Sequence, residues 1–333
     1  MTTYEGPSRV APGRRVVTGT LAGMLTIVAL TWLLSLVVVG PLAVGAGTVL
    51  GHDGRTALVL GAVCWTASAG LLLLRPVEAR FARLLFMVRR PSERELERLR
   101  PVWRQACQRA GAEPDGFTLR VEDSDLVNAF ALGAHFVAVT RRALELPDQL
   151  LEAVLAHELG HHRDLHPLAA TLGWWYLMPF SLLSAALRRV GAATVATSRV
   201  FSGLKRRTGQ VSGGRPLEGA PGMVGVLVIL GALVVVGTVL VVMLCAVWLP
   251  LWLVTRLSRL LSAALSRSAE YAADRRATES GYAADLIRVL ELFELDEQRA
   301  PRSAVAARLA SHPPCRARIR AVQRLRARGS TGR

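Results

Sequence analysis

Residues 154–162 read VLAHELGHH, and the rest of the 333-residue chain can be interpreted around them. On an α-helix, His157 and His161 are one turn apart, so both imidazoles project from the same face. Two imidazoles at that spacing can bind one metal ion, and Glu158 beside them can reach a water on the same ion. The stretch therefore predicts a metal-binding helix, against the alternative of an exposed helix with two ordinary histidines.

The residues around this motif favour a helix. Pro147 suits a first helical position and Asp148 favours the positive N-terminal end. Gly160 costs about 1 kcal/mol inside a helix relative to alanine. We therefore expect another part of the chain to approach the backbone at Gly160. Apolar residues repeat at helical spacing at Leu150, Leu151, Val154 and Leu155.

The composition indicates a membrane protein. The chain is 51% hydrophobic with a formal net charge of +16, and its apolar residues are concentrated in long blocks without charge. The basic excess is mostly arginine and is not interleaved with aromatic residues, so we expect contact with lipid headgroups and not with nucleic acid. The four apolar blocks are residues 16–51, 56–74, 165–187 and 219–255.

Arginines predict the orientation of these blocks. Five arginines follow the second block, whereas the turn at residues 45–55 carries little charge. Because basic residues are enriched on the cytoplasmic side of membrane proteins, the N-terminus and the motif helix should face the cytoplasm. We expect the first helix to end at Gly40-Pro41; a cleaved signal peptide is the alternative. The five arginines are Arg75, Arg80, Arg83, Arg89 and Arg90.

A basic, glycine-rich loop at residues 188–218 complicates the topology. If the third and fourth blocks each cross the membrane once, this loop lies outside, against the positive-inside tendency. The alternative is that the third block only dips into the membrane and residues 219–255 form a helical hairpin. Single crossings are favoured by the lengths of the blocks.

The soluble part is predicted to contain helices and a small sheet. Residues 92–110 favour an amphipathic helix that ends at Gly111. A helix should run from residue 256 to about Gly281, and the arginine-rich C-terminal tail should fray. Short strands and one sheet edge are expected at residues 117–121, 136–140 and 125–131, and a further helix at residues 283–295.

A third metal ligand is needed, because hydrolytic zinc sites usually hold the ion with three protein ligands and leave one position for water. Glu270 is the best candidate, since Asp274 lies one turn further along the same predicted helix. Asp274 could accept the second N–H of a ligand histidine. Spacing alone leaves open that these two carboxylates form a solvated face beside Arg267 and Arg275.

The sequences HELGHH at residues 157–162 and EYAAD at residues 270–274 together resemble the HtpX-like membrane zinc metallopeptidases, which include the CAAX prenyl endopeptidases. The stretches VNAFA at residues 127–131 and SHPP at residues 311–314 agree with this resemblance, as does the order of the elements. It covers nearly the whole chain, and it implies one catalytic zinc ion. The implied zinc ligands are His157, His161 and Glu270.

The resemblance also implies roles for other residues. Glu158 would act as the general base, and Asp274 would orient a histidine ligand. His312 would donate a hydrogen bond to the oxyanion, although a structural histidine at a helix start is the alternative. His162 and His166 are interpreted as structural or surface residues, and the four cysteines as reduced. The residues expected to pair with substrate as an added strand are Asn128, Ala129 and Phe130.

The predicted fold is a mainly α membrane protein with about four transmembrane helices and a cytoplasmic α+β, zincin-like metalloprotease domain. Its parts are a two-span hairpin at residues 1–75, a catalytic part at 76–164, membrane segments at 165–255 and a second catalytic part at 256–333. The implied function is zinc-dependent cleavage of membrane or membrane-associated polypeptides in quality control at the cell membrane. The alternatives are a signalling metalloprotease that cuts one cytoplasmic regulator, and a non-catalytic relative that binds client proteins.

Overall fold

The N-terminal part of the described chain, residues 14–73, consists of two long apolar helices joined by a short turn. Helix α1 spans Arg14–Val49, and helix α2 spans Gly54–Ser68 and continues as the 3-10 turn Ala69–Leu73. The carboxylate of Asp53 caps α2 by accepting hydrogen bonds from the first backbone N–H groups of that helix. The computed structural model describes residues 14–209, 252–253, 255–256, 260, 262–299 and 312–331.

Three of the described helices are long and apolar enough to cross a membrane. They contain the segments Ala22–Val49, Gly54–Leu73 and His166–Ala186. The third belongs to helix α6, His166–Gly209, which packs against α1. Trp65 of α2 stacks on Trp175 of α6 with ring centroids 5.7 Å apart. The chain is therefore a membrane protein by the length and composition of these helices.

Two predictions about these helices are wrong. The first helix does not end at Gly40-Pro41, because α1 continues through Pro41 to Val49; proline is tolerated in membrane helices where neighbouring groups satisfy the freed carbonyl. The basic segment predicted as a loop from residue 188 is helical as far as Gly209. Residues 210–218, and most of the fourth apolar block at 219–255, lie outside the described residues.

Two helices lead from the membrane segments to the sheet. Helix α3, Arg75–Phe86, begins directly after the second apolar segment. Helix α4, Glu93–Ala110, starts with a reciprocal capping box between Ser92 and Glu95 and ends at Gly111. Gly111 has φ +65°, a conformation that glycine adopts at little cost. The predicted helix at residues 92–110 is confirmed.

A three-stranded mixed sheet forms the centre of the soluble part. Strands β1 (Thr118–Glu122), β2 (Ala129–Leu132) and β3 (Phe136–Thr140) are ordered β1-β3-β2. Strand β3 pairs in parallel with β1 and antiparallel with β2, so β2 lies at one edge. The two predicted strands, at residues 117–121 and 136–140, agree with β1 and β3 to within one residue, and the predicted sheet edge at residues 125–131 overlaps the edge strand β2.

The motif helix α5, Asp148–Arg163, packs between the sheet and the C-terminal helices. A helix over residues 262–277, here α7, leads into the turn Thr278–Tyr282, where Gly281 has φ +93°. Helix α8 follows at Ala283–Arg299. The expectation of a frayed tail is wrong, because helix α9 runs from Cys315 to Thr331 and packs against α8.

Candidate metal centre

The two motif histidines meet on the buried face of α5. His157 and His161 are each 7% exposed, and their Nε2 atoms are 3.2 Å apart. The helix around them is held by apolar packing, since Leu151, Leu155 and Leu159 are at most 1% exposed. A well-packed helix keeps the two imidazoles in one arrangement, which is what a metal site of fixed geometry requires.

Gly160 allows α7 to approach this face. A Cβ atom on Gly160 would lie 2.9 Å from the Cα atom of Ala273, closer than real Cβ contacts allow. The sequence prediction that a segment must approach the backbone at Gly160 is therefore confirmed. Ala273 lies less than one turn after Glu270 on α7, so the same close contact brings Glu270 to the histidines.

Glu270 completes a group of three metal-ligating side chains. Its Oε2 atom is 3.4 Å from Nε2 of His157, and its Oε1 atom is 3.3 Å from Nε2 of His161. Three donors bound tetrahedrally at about 2.0–2.1 Å would be about 3.3 Å apart. The observed separations are close to this value but involve both oxygens of Glu270, and the three residues form a group that could hold one zinc ion.

The hydrogen bonding around the group fits the same ion. Nδ1 of His157 lies 3.0 Å from Oδ1 of Asp274, which favours the tautomer that leaves Nε2 free for a metal. Oε2 of Glu270 is buried and accepts no hydrogen bond, although an Arg318 nitrogen is 2.8 Å away. The ion pair with Arg318 is the contact of this oxygen in the structure, and a carboxylate oxygen has a further lone pair with which it could bind a metal ion.

Arg318 is a residue of this site that the sequence interpretation missed. It comes from α9, in the segment expected to fray, and only 5% of its surface is exposed. Its guanidinium donates to both oxygens of Asp274 at 2.6 and 2.8 Å. The signal was present in the helical repeat: Arg318 shares a face with Cys315, Ile319 and Val322, and a charge on an apolar face needs a buried partner.

Arg318 also sets the charge state of the carboxylates. Burial alone would raise the pKa of Asp274, but the Arg318 guanidinium outweighs this and lowers the pKa to about 2. Burial likewise opposes the ionisation of Glu270, and Arg318 again holds its pKa well below the usual range. Both groups are therefore negatively charged at neutral pH, as a metal ligand and its supporting carboxylate should be.

Glu158 and β2 border the cavity in front of the three ligands. The cavity has a volume of about 140 Å³, and its polar lining includes Glu158, His312 and Asn128. Glu158 is 6% exposed. The structure thus brings together all the residues predicted for chemistry and substrate binding. The residues of β2 and its approach that line the cavity are Asn128, Ala129, Phe130 and Ala131.

Three further histidines, for which the sequence suggested roles, occupy different environments. Nδ1 of His312 lies 2.8 Å from Oε1 of Glu270, so this histidine contacts a predicted metal ligand. His162 is buried and bonds through Nε2 to the carbonyl of Phe136, and burial lowers its pKa to about 4. This agrees with a structural role. His166 lines the cavity with its ring 5.5 Å from that of His161, a position the sequence interpretation did not assign to it.

These features define a metallopeptidase: two imidazoles and a distant carboxylate fit one zinc ion, with a further carboxylate and an open strand at the same cavity. The chain matches the model of peptidase family M48 over residues 93–326, and it belongs to that family of zinc metallopeptidases. The resemblance inferred from the two motifs is confirmed. The match spans every residue predicted to bind zinc or act in catalysis.

Among solved structures, the chain is similar to the crystal structure of Ste24p from S. mikatae. The two are 16% identical with a TM-score of 0.41, and the alignment covers 84% of this chain. It covers 60% of the Ste24p chain, so this protein spans less than two thirds of that relative. No curated protein matches the chain.

Proposed function

We propose that the chain is a zinc-dependent endopeptidase that cleaves membrane or membrane-associated polypeptides at the cytoplasmic face of the cell membrane, in protein quality control. The single observation that carries this proposal is the set of separations of 3.2, 3.3 and 3.4 Å among donor atoms of His157, His161 and Glu270. These separations, measured to the two oxygens of Glu270, support a zinc site, and Glu158 borders the same cavity.

The ion, when bound, would polarise the scissile carbonyl and make a water more acidic. Glu158 would take the proton of the attacking water on its carboxylate and pass it to the leaving nitrogen. His312 is 44% exposed at the mouth of the site, and its ring could turn from Glu270 to donate a hydrogen bond to the developing oxyanion. Asp274, held by Arg318, would keep His157 oriented.

The edge of β2 is suited to bind the substrate backbone. Thr140 donates from its backbone N–H to the carbonyl of Asn128, so this pair is hydrogen-bonded across the ladder. In an antiparallel ladder bonded and non-bonded pairs alternate, so Ala129 and Ala131 direct their N–H and C=O groups outward. Both residues line the cavity. We therefore infer that these two alanines pair with an extended substrate, which adds Ala131 to the predicted set.

Substrates attached to the membrane are favoured by the position of the site. Helix α5, which carries the histidines, ends three residues before the third apolar segment begins at His166. A site this close to an apolar helix is reached most readily by chains that are themselves held at the membrane. A specific cytoplasmic regulator remains the signalling alternative, and it would be held there in the same way.

The proposal is tested by removing the base and a ligand separately. We expect Glu158→Gln to retain zinc in detergent-purified protein but to lose casein cleavage by about 10²-fold or more, since it removes only proton transfer. Glu270→Ala should lose zinc affinity as well as activity, because one of three ligands is gone. Zinc content is measured by metal analysis, and cleavage with and without a chelator.

Glu97→Gln is a matched control for the first variant, since it makes the same change at an exposed position on α4. It should leave both zinc content and cleavage unchanged. Cleavage by Glu158→Gln at the wild-type rate would show that Glu158 is not the base. Absence of chelator-sensitive cleavage by wild-type protein that contains zinc would instead support the non-catalytic, client-binding alternative.

A further inference from the structure

Glu78 is a buried charge that the chemistry above does not use. It lies on α3, only 1% exposed, five residues after the second apolar segment ends at Leu73. Its carboxylate accepts hydrogen bonds from the backbone N–H groups of Ala134 and His135 at 2.7 and 3.1 Å. It also lies 3.0 Å from Nδ1 of His135. A buried carboxylate with several donors holds the segment that supplies them.

That segment is the turn between β2 and β3. Gly133 in the turn has φ +57°, and a Cβ atom there would lie 1.9 Å from an oxygen of Glu78. The turn and the carboxylate therefore fit each other closely, and only glycine allows this contact. Because β2 is four residues long and ends next to this turn, the position of the turn sets the position of the strand edge at the cavity.

A membrane helix holds the same turn from the other side. The backbone N–H of Gly133 donates to Oγ1 of Thr171 at 3.2 Å, and Thr171 is 5% exposed. Thr171 lies five residues inside the third apolar segment, which begins at His166. Five residues of helix correspond to about 7.5 Å. The turn is therefore held between a residue that follows the second apolar segment and a residue about one and a half helical turns inside the third, which places it near the membrane boundary.

The metal centre lies near the same boundary, since His166 at the start of the third segment lines its cavity. A substrate paired along β2 would pass from the cavity, which β2 lines as far as Ala131, to the turn at Gly133, over about two residues or ~7 Å. The end of the substrate that passes the turn would thus be at the membrane boundary when the scissile bond is at the metal centre.

We propose that Glu78 and Thr171 are positioning residues that fix β2 at the membrane boundary, so that the enzyme cuts an extended segment at a short, fixed distance from the substrate's own transmembrane helix. This rests on the proposed peptidase function and names its substrate class: membrane proteins with an extended juxtamembrane segment. The cut is selected by distance from the membrane and not by a sequence motif.

The test uses full-length, zinc-loaded enzyme reconstituted in lipid vesicles with a model substrate. The substrate has one transmembrane helix followed by an extended polar segment, and about four or about eight residues are inserted between the two. Mass spectrometry gives the bond that is cut. We expect the cut to keep the distance from the transmembrane helix that it has in the substrate without an insert, and therefore to move into the insert. A cut that keeps its place in the original sequence overturns the proposal.

Two variants test the positioning residues themselves. We expect Glu78→Gln and Thr171→Val to spread the cut over several bonds. The fraction of product cut at the wild-type bond should fall by about two- to tenfold, because each variant weakens or removes hydrogen bonds that position the turn. Merely weaker folding would lower the total yield without changing this distribution. Cut patterns identical to wild type in both variants overturn the role of these residues.

The controls make the same chemical changes away from the turn. Glu97→Gln alters an exposed glutamate of α4, and Thr26→Val removes a hydroxyl whose bond runs only to Ala22 within α1. Both should give the wild-type pattern. The insertion series needs only wild-type enzyme, so it decides the proposal even if a variant fails to fold. Chelator-sensitive cuts whose distance from the transmembrane helix changes with the length of the insert overturn only this inference. Absence of any cleavage overturns the peptidase function too.

Discussion

Arg318 and Arg89 make the same kind of contact in opposite surroundings. Each guanidinium pairs with two carboxylates at 2.6–2.8 Å. The Arg318 side chain is 6% exposed, whereas that of Arg89 is 37% exposed. The carboxylate partners are Asp274 and Glu270 for Arg318, and Glu95 and Asp123 for Arg89.

The difference in burial decides what each cluster does. Around Arg89, which is 37% exposed, water can partly solvate the groups if a partner is lost, so these pairs stabilise the fold less than the buried ones do. Around Arg318, a lost partner leaves charges in a site that water hardly reaches, and the energetic cost is large. The buried cluster also contains Glu270, the predicted third metal ligand, so its integrity controls the geometry of the candidate site. Of these two clusters, the buried one couples folding to the proposed function.

The largest effect is expected from removing the buried guanidinium. Arg318→Ala should lower the free energy of unfolding by about 3–5 kcal/mol, because two buried carboxylates lose their countercharge. Zinc affinity should fall too, since Glu270 and Asp274 would repel each other. Urea unfolding in a mild detergent and metal analysis measure the two quantities. Arg318→Lys should recover only part of the loss, because lysine lacks the planar fork; full recovery would mean that charge alone matters.

A smaller effect is expected from filling the contact between α5 and α7. Gly160→Ala should cost about 1–3 kcal/mol, since the new methyl meets the backbone of Ala273 at 2.9 Å. Displacement of α7 would move Glu270 from the histidines and weaken zinc binding. Gly116→Ala is a control with room for the methyl group, as its nearest neighbour is 3.9 Å away. Unchanged zinc affinity in Gly160→Ala would show that the helices separate without moving the ligand.

The exposed cluster should be nearly dispensable. Arg89→Ala should change the free energy of unfolding by at most about 1 kcal/mol and leave zinc content and cleavage unaltered. Added salt should shrink even this difference, since it screens charges at the surface. A loss as large as that of Arg318→Ala, measured by the same urea unfolding, would contradict the argument from burial.

The smallest expected effect is a dependence on pH of the free energy of unfolding, caused by the pair of Arg89 and Glu95. Hydrogen bonds from Arg89 lower the pKa of Glu95 from 4.5 to about 2. A lowered folded-state pKa gives stability that is present above pH 4.5 and is lost as the pH falls toward 2. The difference in unfolding free energy between wild type and Arg89→Ala should therefore narrow over this interval. A difference independent of pH would mean that the pair does not persist in solution.

Much of this molecule was predictable because its signals are local. The helical spacing of His157 and His161, the length of the apolar blocks and the capping signals at Ser92 and Gly111 each involve neighbouring residues. Glu270 was identified as the best third ligand because Asp274 follows it by one helical turn. The resemblance to a metallopeptidase family then selected between the alternatives that spacing left open.

The errors share a physical cause, which is that partners distant in sequence override local tendencies. Pro41 predicts a helix end, but α1 continues through it to Val49 in a helix that packs against α2 and α6. The arginine-rich tail predicts fraying, but α9 is held by the packing of its apolar face and by the ion pairs of Arg318. Neither partner could be identified from nearby residues.

The sequence by itself determined the chemistry, since residue types and helical spacing specify which side chains can bind zinc and move a proton. Only the tertiary structure decided how these groups are assembled: the close contact of Gly160 with Ala273, the burial of Arg318, and the turn held between Glu78 and Thr171. The reason is that ligand type is a property of single residues, whereas burial and distance depend on segments far apart in the chain.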